Sequence, residues 1–208
     1  MSVTGIALIL FLTFHMCMNV VALFSGEGYN MICEFLGANW YAVVATLALA
    51  GLAVLHIVYA FILTMQNRNA RGPEKYEVSG KNEKVEWASQ NMLVLGIIVV
   101  LGLLLHLFNF WYNMMFAELI GAHPVISPTD GYGYIKETFS NPAFVVLYLV
   151  WLAALWFHLS HGFWSAMHTL GWNGKVWFNR WKCIGITYTT VLVLGFVVVV
   201  LAFAAGLC

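Results

Sequence analysis

Residues 91–113 read NMLVLGIIVVLGLLLHLFNFWYN, twenty-three positions without an Asp, Glu, Lys or Arg. A bilayer core of about 30 Å takes about 20 apolar residues of helix to cross, so this stretch is long enough. It is too long and too continuous for a barrel strand, whose residues would alternate with period two. Four other segments have the same character: about 3–24, 39–65, 142–168 and 183–206. The first contains His15 and Asn19 and lacks both a basic leader and a clean small-residue cleavage site, so it is taken as a span and not as a signal peptide. The expected fold is an all-α membrane protein, a single transmembrane domain over residues 1–208 with five helices in a bundle.

Composition agrees. Hydrophobic residues make up 62% of the 208 positions and charged residues 9%, against about 25% charged in a soluble domain. The mean hydropathy is +0.84. Such a chain cannot cover a soluble surface with polar groups, and it is too apolar to stay disordered. Nine basic residues balance nine acidic ones and leave no basic patch outside the loops, which excludes a nucleic-acid surface. The four cysteines form no CxxC pair, so neither a zinc site nor covalent haem attachment is indicated. Cys33 and Cys208 fall on one side of the bundle, which leaves a disulfide open.

The connections set the orientation. Arg68, Arg71, Lys75, Lys81 and Lys84 lie in residues 66–90, and Lys175, Arg180 and Lys182 in residues 169–182. Only Lys136 lies in the opposite set, 25–38 and 114–141. Eight of nine basic residues therefore mark the second and fourth connections as cytoplasmic, with the N-terminus inside and Cys208 outside.

The spans contain no charged side chain but do contain His15, His56, His106, His158 and His161. An ionisable group in hydrocarbon is a functional candidate. At about 1.5 Å rise per residue, His15 and His106 lie about 20 to 22 Å from the inner ends of their helices, and His56 and His158 about 15 Å. Two levels result, an outer pair and an inner pair, each joining different helices. Opposed imidazoles suit the two axial positions of an iron porphyrin, and filled axial positions favour electron transfer over oxygen chemistry. Gly102, Ala60, Ala154 and Gly162, each four residues from a candidate ligand, would let a flat ring approach the backbone. A lone membrane His is explained as well by a hydrogen bond across helices; four at two matching depths favour paired ligation. A metal transporter would add carboxylates to its path, and the spans have none. His168 and His123 fall at the membrane surfaces. Met16 and Met18 are possible ligands in principle but are more often packing residues.

The stretches around these histidines resemble a known family: MSVTGIALILFLTFHM, LAVLHIVYAF, LGLLLHLFNF and above all WFHLSHGFWSAMHTLGWN. Nearly the whole chain is similar to the single-chain, five-helix, di-haem cytochrome b anchor of succinate dehydrogenases and fumarate reductases. The family places its fourth-helix ligand four residues before a Gly in an FHxxxGxW-like motif, which fits His158 with Gly162 and Trp164 and makes His161 a non-ligand. The resemblance implies two b haems, held by His15 with His106 and by His56 with His158. It implies an iron–sulfur subunit and a flavoprotein on the cytoplasmic face, and electron exchange with a membrane quinone, menaquinone by family habit. The chain alone would not be a complete enzyme, its membrane would be the bacterial inner one, and such complexes often pair. In some members a Glu on the outer side, near the second helix, serves quinol oxidation. Glu34 is the nearest candidate here and Glu27 the second, each of which a plain solvated loop would also explain. Those members also carry a Glu two residues before the fourth-helix ligand; here that position is Trp156. Arg180, Lys182 or Lys84 would pair with a haem propionate, although ordinary inside-positive topology explains their number. The first span starts almost at residue 1 without a basic flank, as in a chain that begins later than its relatives. The competing readings are the cytochrome b anchor of a formate dehydrogenase or hydrogenase, whose His spacing matches less well, and a haem-free membrane scaffold or transporter.

Overall fold

The computed structural model describes residues 1–71, 87–172 and 174–208, and within them every regular element is helical. In chain order these are α1 (Ser2–Val21), α2 (Gly26–Phe35), α3 (Trp40–Arg71), α4 (Trp87–Gln90), α5 (Met92–His106), a π-helical stretch (Leu107–Phe116), α6 (Ala117–Leu119), α7 (Gly131–Ser140), α8 (Pro142–Thr169) and α9 (Lys175–Ala204). Five helices are long and apolar enough to cross a membrane: α1, α3, the continuous Met92–Leu119 rod, α8 and α9. Lys75, Lys81 and Lys84 lie outside the described residues.

Several helices overrun their apolar cores. The second span runs on through Gln66–Arg71 and the fifth begins at Lys175. Polar residues beyond the hydrocarbon do not end a helix whose own hydrogen bonds continue. The third span continues to Leu119, beyond the expected end near residue 113, and changes hydrogen-bond register directly after His106. There the Asn113 amide donates to the carbonyls of Phe108 (3.0 Å) and Asn109 (3.2 Å), side-chain bonds within the π-helical stretch.

The two outer connections, expected to be loops, hold the short helices α2 and α7, which pack on each other. Each starts on a side-chain cap: Ser25 Oγ accepts from Gly28 N (2.9 Å) and Asp130 Oδ1 from Gly133 N (3.0 Å). Asn30 joins the two by donating to Asp130 Oδ1 (2.7 Å) and accepting from Tyr132 N (2.9 Å). Asn141 caps α8, with Pro142 in its first turn. All four cysteines are free.

The best-buried core lies between α1, α8 and α9. Leu192, Val193, Val199, Val200 and Phe203 of α9 meet Tyr148, Leu152, Leu155 and Leu159 of α8 and Ile9 of α1. Met16 belongs to this packing: a Cβ at Gly195 would lie 2.6 Å from its sulfur. Thr189, fully buried on α9, returns its hydroxyl to the Gly185 carbonyl (2.8 Å) and so costs little inside an apolar layer.

Candidate functional site

Four of the long helices are arranged as an open ring. α3 packs on α1, α1 on α8, and α8 on α5. Neither α1 with α5 nor α3 with α8 forms a packed pair among the described residues. The histidines meet across these two diagonals. His15 of α1 and His106 of α5 face each other edge to face, with ring centroids 5.8 Å apart. His56 of α3 and His158 of α8 do the same at 6.4 Å. Opposed imidazole nitrogens, each about 2 Å from one metal, place ring centroids about 6 Å apart. Both pairs are of that dimension. No group of three or more His, Cys, Asp and Glu that could hold a metal ion forms among the described residues.

The surroundings differ by level. His106 sits among Phe110, Trp151 and Tyr148, at 5.1, 5.7 and 6.3 Å between centroids. His15 stacks on Phe11 (5.5 Å) and meets Phe196 (5.8 Å). Asn19, one turn on, donates to the His15 carbonyl (2.8 Å) and lies 3.4 Å from Nε2. Tyr29 of α2 donates to Asn19 Oδ1 (3.2 Å), so α2 is tied to α1. Asn109 donates to the Tyr148 hydroxyl (3.3 Å) beside His106.

At the inner level Thr4 Oγ1 lies 3.1 Å from His56 Nδ1. His158 Nδ1 is buried without a hydrogen-bond partner. Such a buried polar atom is costly and is expected to have a partner in the working protein. A Cβ at Gly5 would touch His56 Cε1 (3.5 Å) and one at Gly96 His158 Cε1 (3.8 Å). Nothing lies within 4 Å of a Cβ at Gly162, one turn from His158, which leaves that flank open. Gly102 serves a different purpose from the one expected: its notch is filled by the Trp151 indole and not left for a flat ligand.

The remaining candidates are placed as follows. Glu27 and Glu34 are exposed on α2, at the end of the bundle that also carries α7. Glu118, not singled out in the sequence, accepts from Ala38 N (3.0 Å) and ties the end of the third span to the start of the second. Trp156 donates to Thr190 Oγ1 (2.8 Å) on α9. His161 packs on Trp164 (4.8 Å between centroids), and the Lys182 ammonium lies over the same indole at 4.7 Å. Arg180 is exposed and stacks over Trp177 at 5.2 Å. Lys84 is outside the described residues. His168 is exposed and meets Phe178, and His123 is exposed at an outer cavity of about 260 Å³ with Tyr112 and Phe116.

Compared with family models, curated proteins and solved structures, the chain matches none of them. The fold and the paired histidines thus define a class, a five-helix bundle apolar enough for a membrane with two half-buried imidazole pairs, and no relative narrows it further.

Proposed function

We propose that the chain is the membrane anchor and electron-transfer subunit of a succinate:quinone oxidoreductase. In this reading it passes electrons between membrane quinone and a cytoplasmic iron–sulfur and flavin subunit pair. The observation that carries the electron-transfer part is the convergence of two histidine pairs across helix diagonals that are otherwise unpacked. The assignment to a succinate or fumarate enzyme rests on the motif around His158.

His15 and His106 would hold one b haem, and His56 and His158 the other. A haem with two imidazoles supplies a reversible one-electron couple and offers no open position for oxygen. The residues fit that group in several ways. The ring separations of 5.8 and 6.4 Å are of the size that two imidazoles on one metal take, with the rings here set edge to face. His158 keeps a buried ring nitrogen without a partner, and the Gly162 flank is open. The aromatic side chains around His106 exclude water from the outer pair. Lys182, drawn against Trp164 nearly two turns from His158, and Arg180 just before it on α9 would meet propionates on the inner side. Glu34 or Glu27 on α2 would take or give the quinone proton on the outer side.

The test is a dithionite-reduced minus air-oxidised spectrum of the purified complex, with a count of extracted haem. Two non-covalent b haems per chain, one of them lost in His106→Ala, are expected. Absence of haem from intact, folded protein would overturn the reading and leave a scaffold or transporter. Haem without a co-purifying succinate-oxidising flavoprotein would overturn the choice of complex alone.

A further inference from the structure

The inner pair is supported unequally, and the support comes from the first turn of α1. Thr4 Oγ1 lies 2.8 Å from the Met1 carbonyl oxygen and 3.1 Å from His56 Nδ1. A threonine hydroxyl has one proton and two lone pairs. A carbonyl can only accept, so the Thr4 proton is directed to Met1. Toward His56 the same oxygen then acts as acceptor, and Nδ1 carries the hydrogen. A neutral imidazole protonated on Nδ1 has its free lone pair on Nε2. Gly5 lies beside the same ring, where a Cβ would stand in ordinary van der Waals contact with Cε1 at 3.5 Å.

None of the other three histidines has an equivalent bond in view. The Asn19 amide is committed at 2.8 Å to the His15 backbone and reaches that ring only at 3.4 to 3.5 Å. His158 Nδ1 is buried and has no partner. His106 is surrounded by aromatic rings.

We infer that Thr4 is a positioning residue for His56: its hydroxyl, together with the Met1 backbone carbonyl that also accepts from the ring, holds the tautomer that presents Nε2 and strengthens that nitrogen as a donor. The inference rests on the reading of His56 as a haem ligand. An acceptor on the far N–H of a ligating imidazole orients the ring and raises its basicity. A more basic ligand favours ferric iron, so the Thr4 hydroxyl lowers the potential of one haem and leaves the other unaffected.

The experiment compares the full complex carrying Thr4→Val, which keeps the shape and removes the hydroxyl, with Thr4→Ser, which restores it. Haem content and an anaerobic redox titration are measured for each. In Thr4→Val one of the two redox steps moves upward. At a fixed poise its reduced-to-oxidised ratio rises by about tenfold, the lower end of what such outer partners are worth, or about 59 mV for one electron. Thr4→Ser behaves as the unsubstituted chain. Loss of one haem in Thr4→Val with both retained in Thr4→Ser supports the same role. Two haems with unmoved potentials in Thr4→Val overturn it, as does a Thr4→Ser variant indistinguishable from Thr4→Val, because the effect would then belong to packing. An unsubstituted complex without haem would instead remove the reading on which the inference stands.

Discussion

Trp151 lays its indole into the notch that Gly102 leaves in α5, and its Nε1 donates to the Val99 carbonyl at 3.0 Å. Any Cβ at position 102 would fall inside the indole ring. Gly102→Ala is therefore expected to force Trp151 out, to weaken its hydrogen bond and to destabilise the bundle by about 1–3 kcal/mol, the usual cost of overpacking. Thermal unfolding in detergent measures this. Trp151 also packs 5.7 Å from His106, so the His106 environment should change in the same variant. An unchanged melting temperature in Gly102→Ala would show that the helices separate at no cost.

Gly102 also shows where sequence reading stops. It lies one turn before His106, and spacing along a single helix assigned it to a flat ligand. The residue that fills its notch comes from another helix fifty positions away, and no local pattern reveals that. The five spans were legible because hydrocarbon thickness translates directly into helix length. The histidine pairing was legible because depth follows from a fixed rise per residue, and the rings do meet as those depths require. Thr4 and Asn19 were visible as polar residues in a span, but their partners depend on packing. α2 and α7 were hidden because each lies in a short polar connection with two glycines, Gly26 and Gly28 or Gly131 and Gly133, in a helix begun by a side-chain cap.

The outer layer should be separable from the histidine pairs. Asp130 Oδ1 both caps α7 and accepts from Asn30 of α2, so one carboxylate holds two helices together. Asp130→Ala removes the cap, at about 1 kcal/mol, and a hydrogen bond to a charged group, at about 1.5–3 kcal/mol. Hydrogen exchange should quicken in residues 26–35 and 131–140, while amides around His56 and His158 keep their protection. Equal protection of the outer helices in the variant and the unsubstituted protein would show that apolar packing alone holds this layer.

Cys33 gives the same layer a pH signature. Its sulfur lies under Gly131, where a Cβ would collide with it, and beside Tyr29. Burial pushes the thiol from an ordinary 9.0 up to about 11; hydrogen bonds from Tyr29 and the Gly131 backbone pull it back, and the Asp130 charge adds to the rise. Below pH 9 the thiol is protonated in folded and unfolded chains alike and contributes no pH dependence. Between 9 and 11 the unfolded chain releases the proton and the folded one keeps it. The unfolded state then binds fewer protons, so stability falls as pH rises and levels off above about 11. Relative to Cys33→Ala, the unsubstituted protein should therefore lose melting temperature across that window. Only the thiolate is alkylated, so the rate of iodoacetamide labelling at Cys33, followed by mass spectrometry, should climb about tenfold per pH unit without a plateau before about 11. A plateau near 9 would mean that the sulfur is solvated and that α2 and α7 do not close over it.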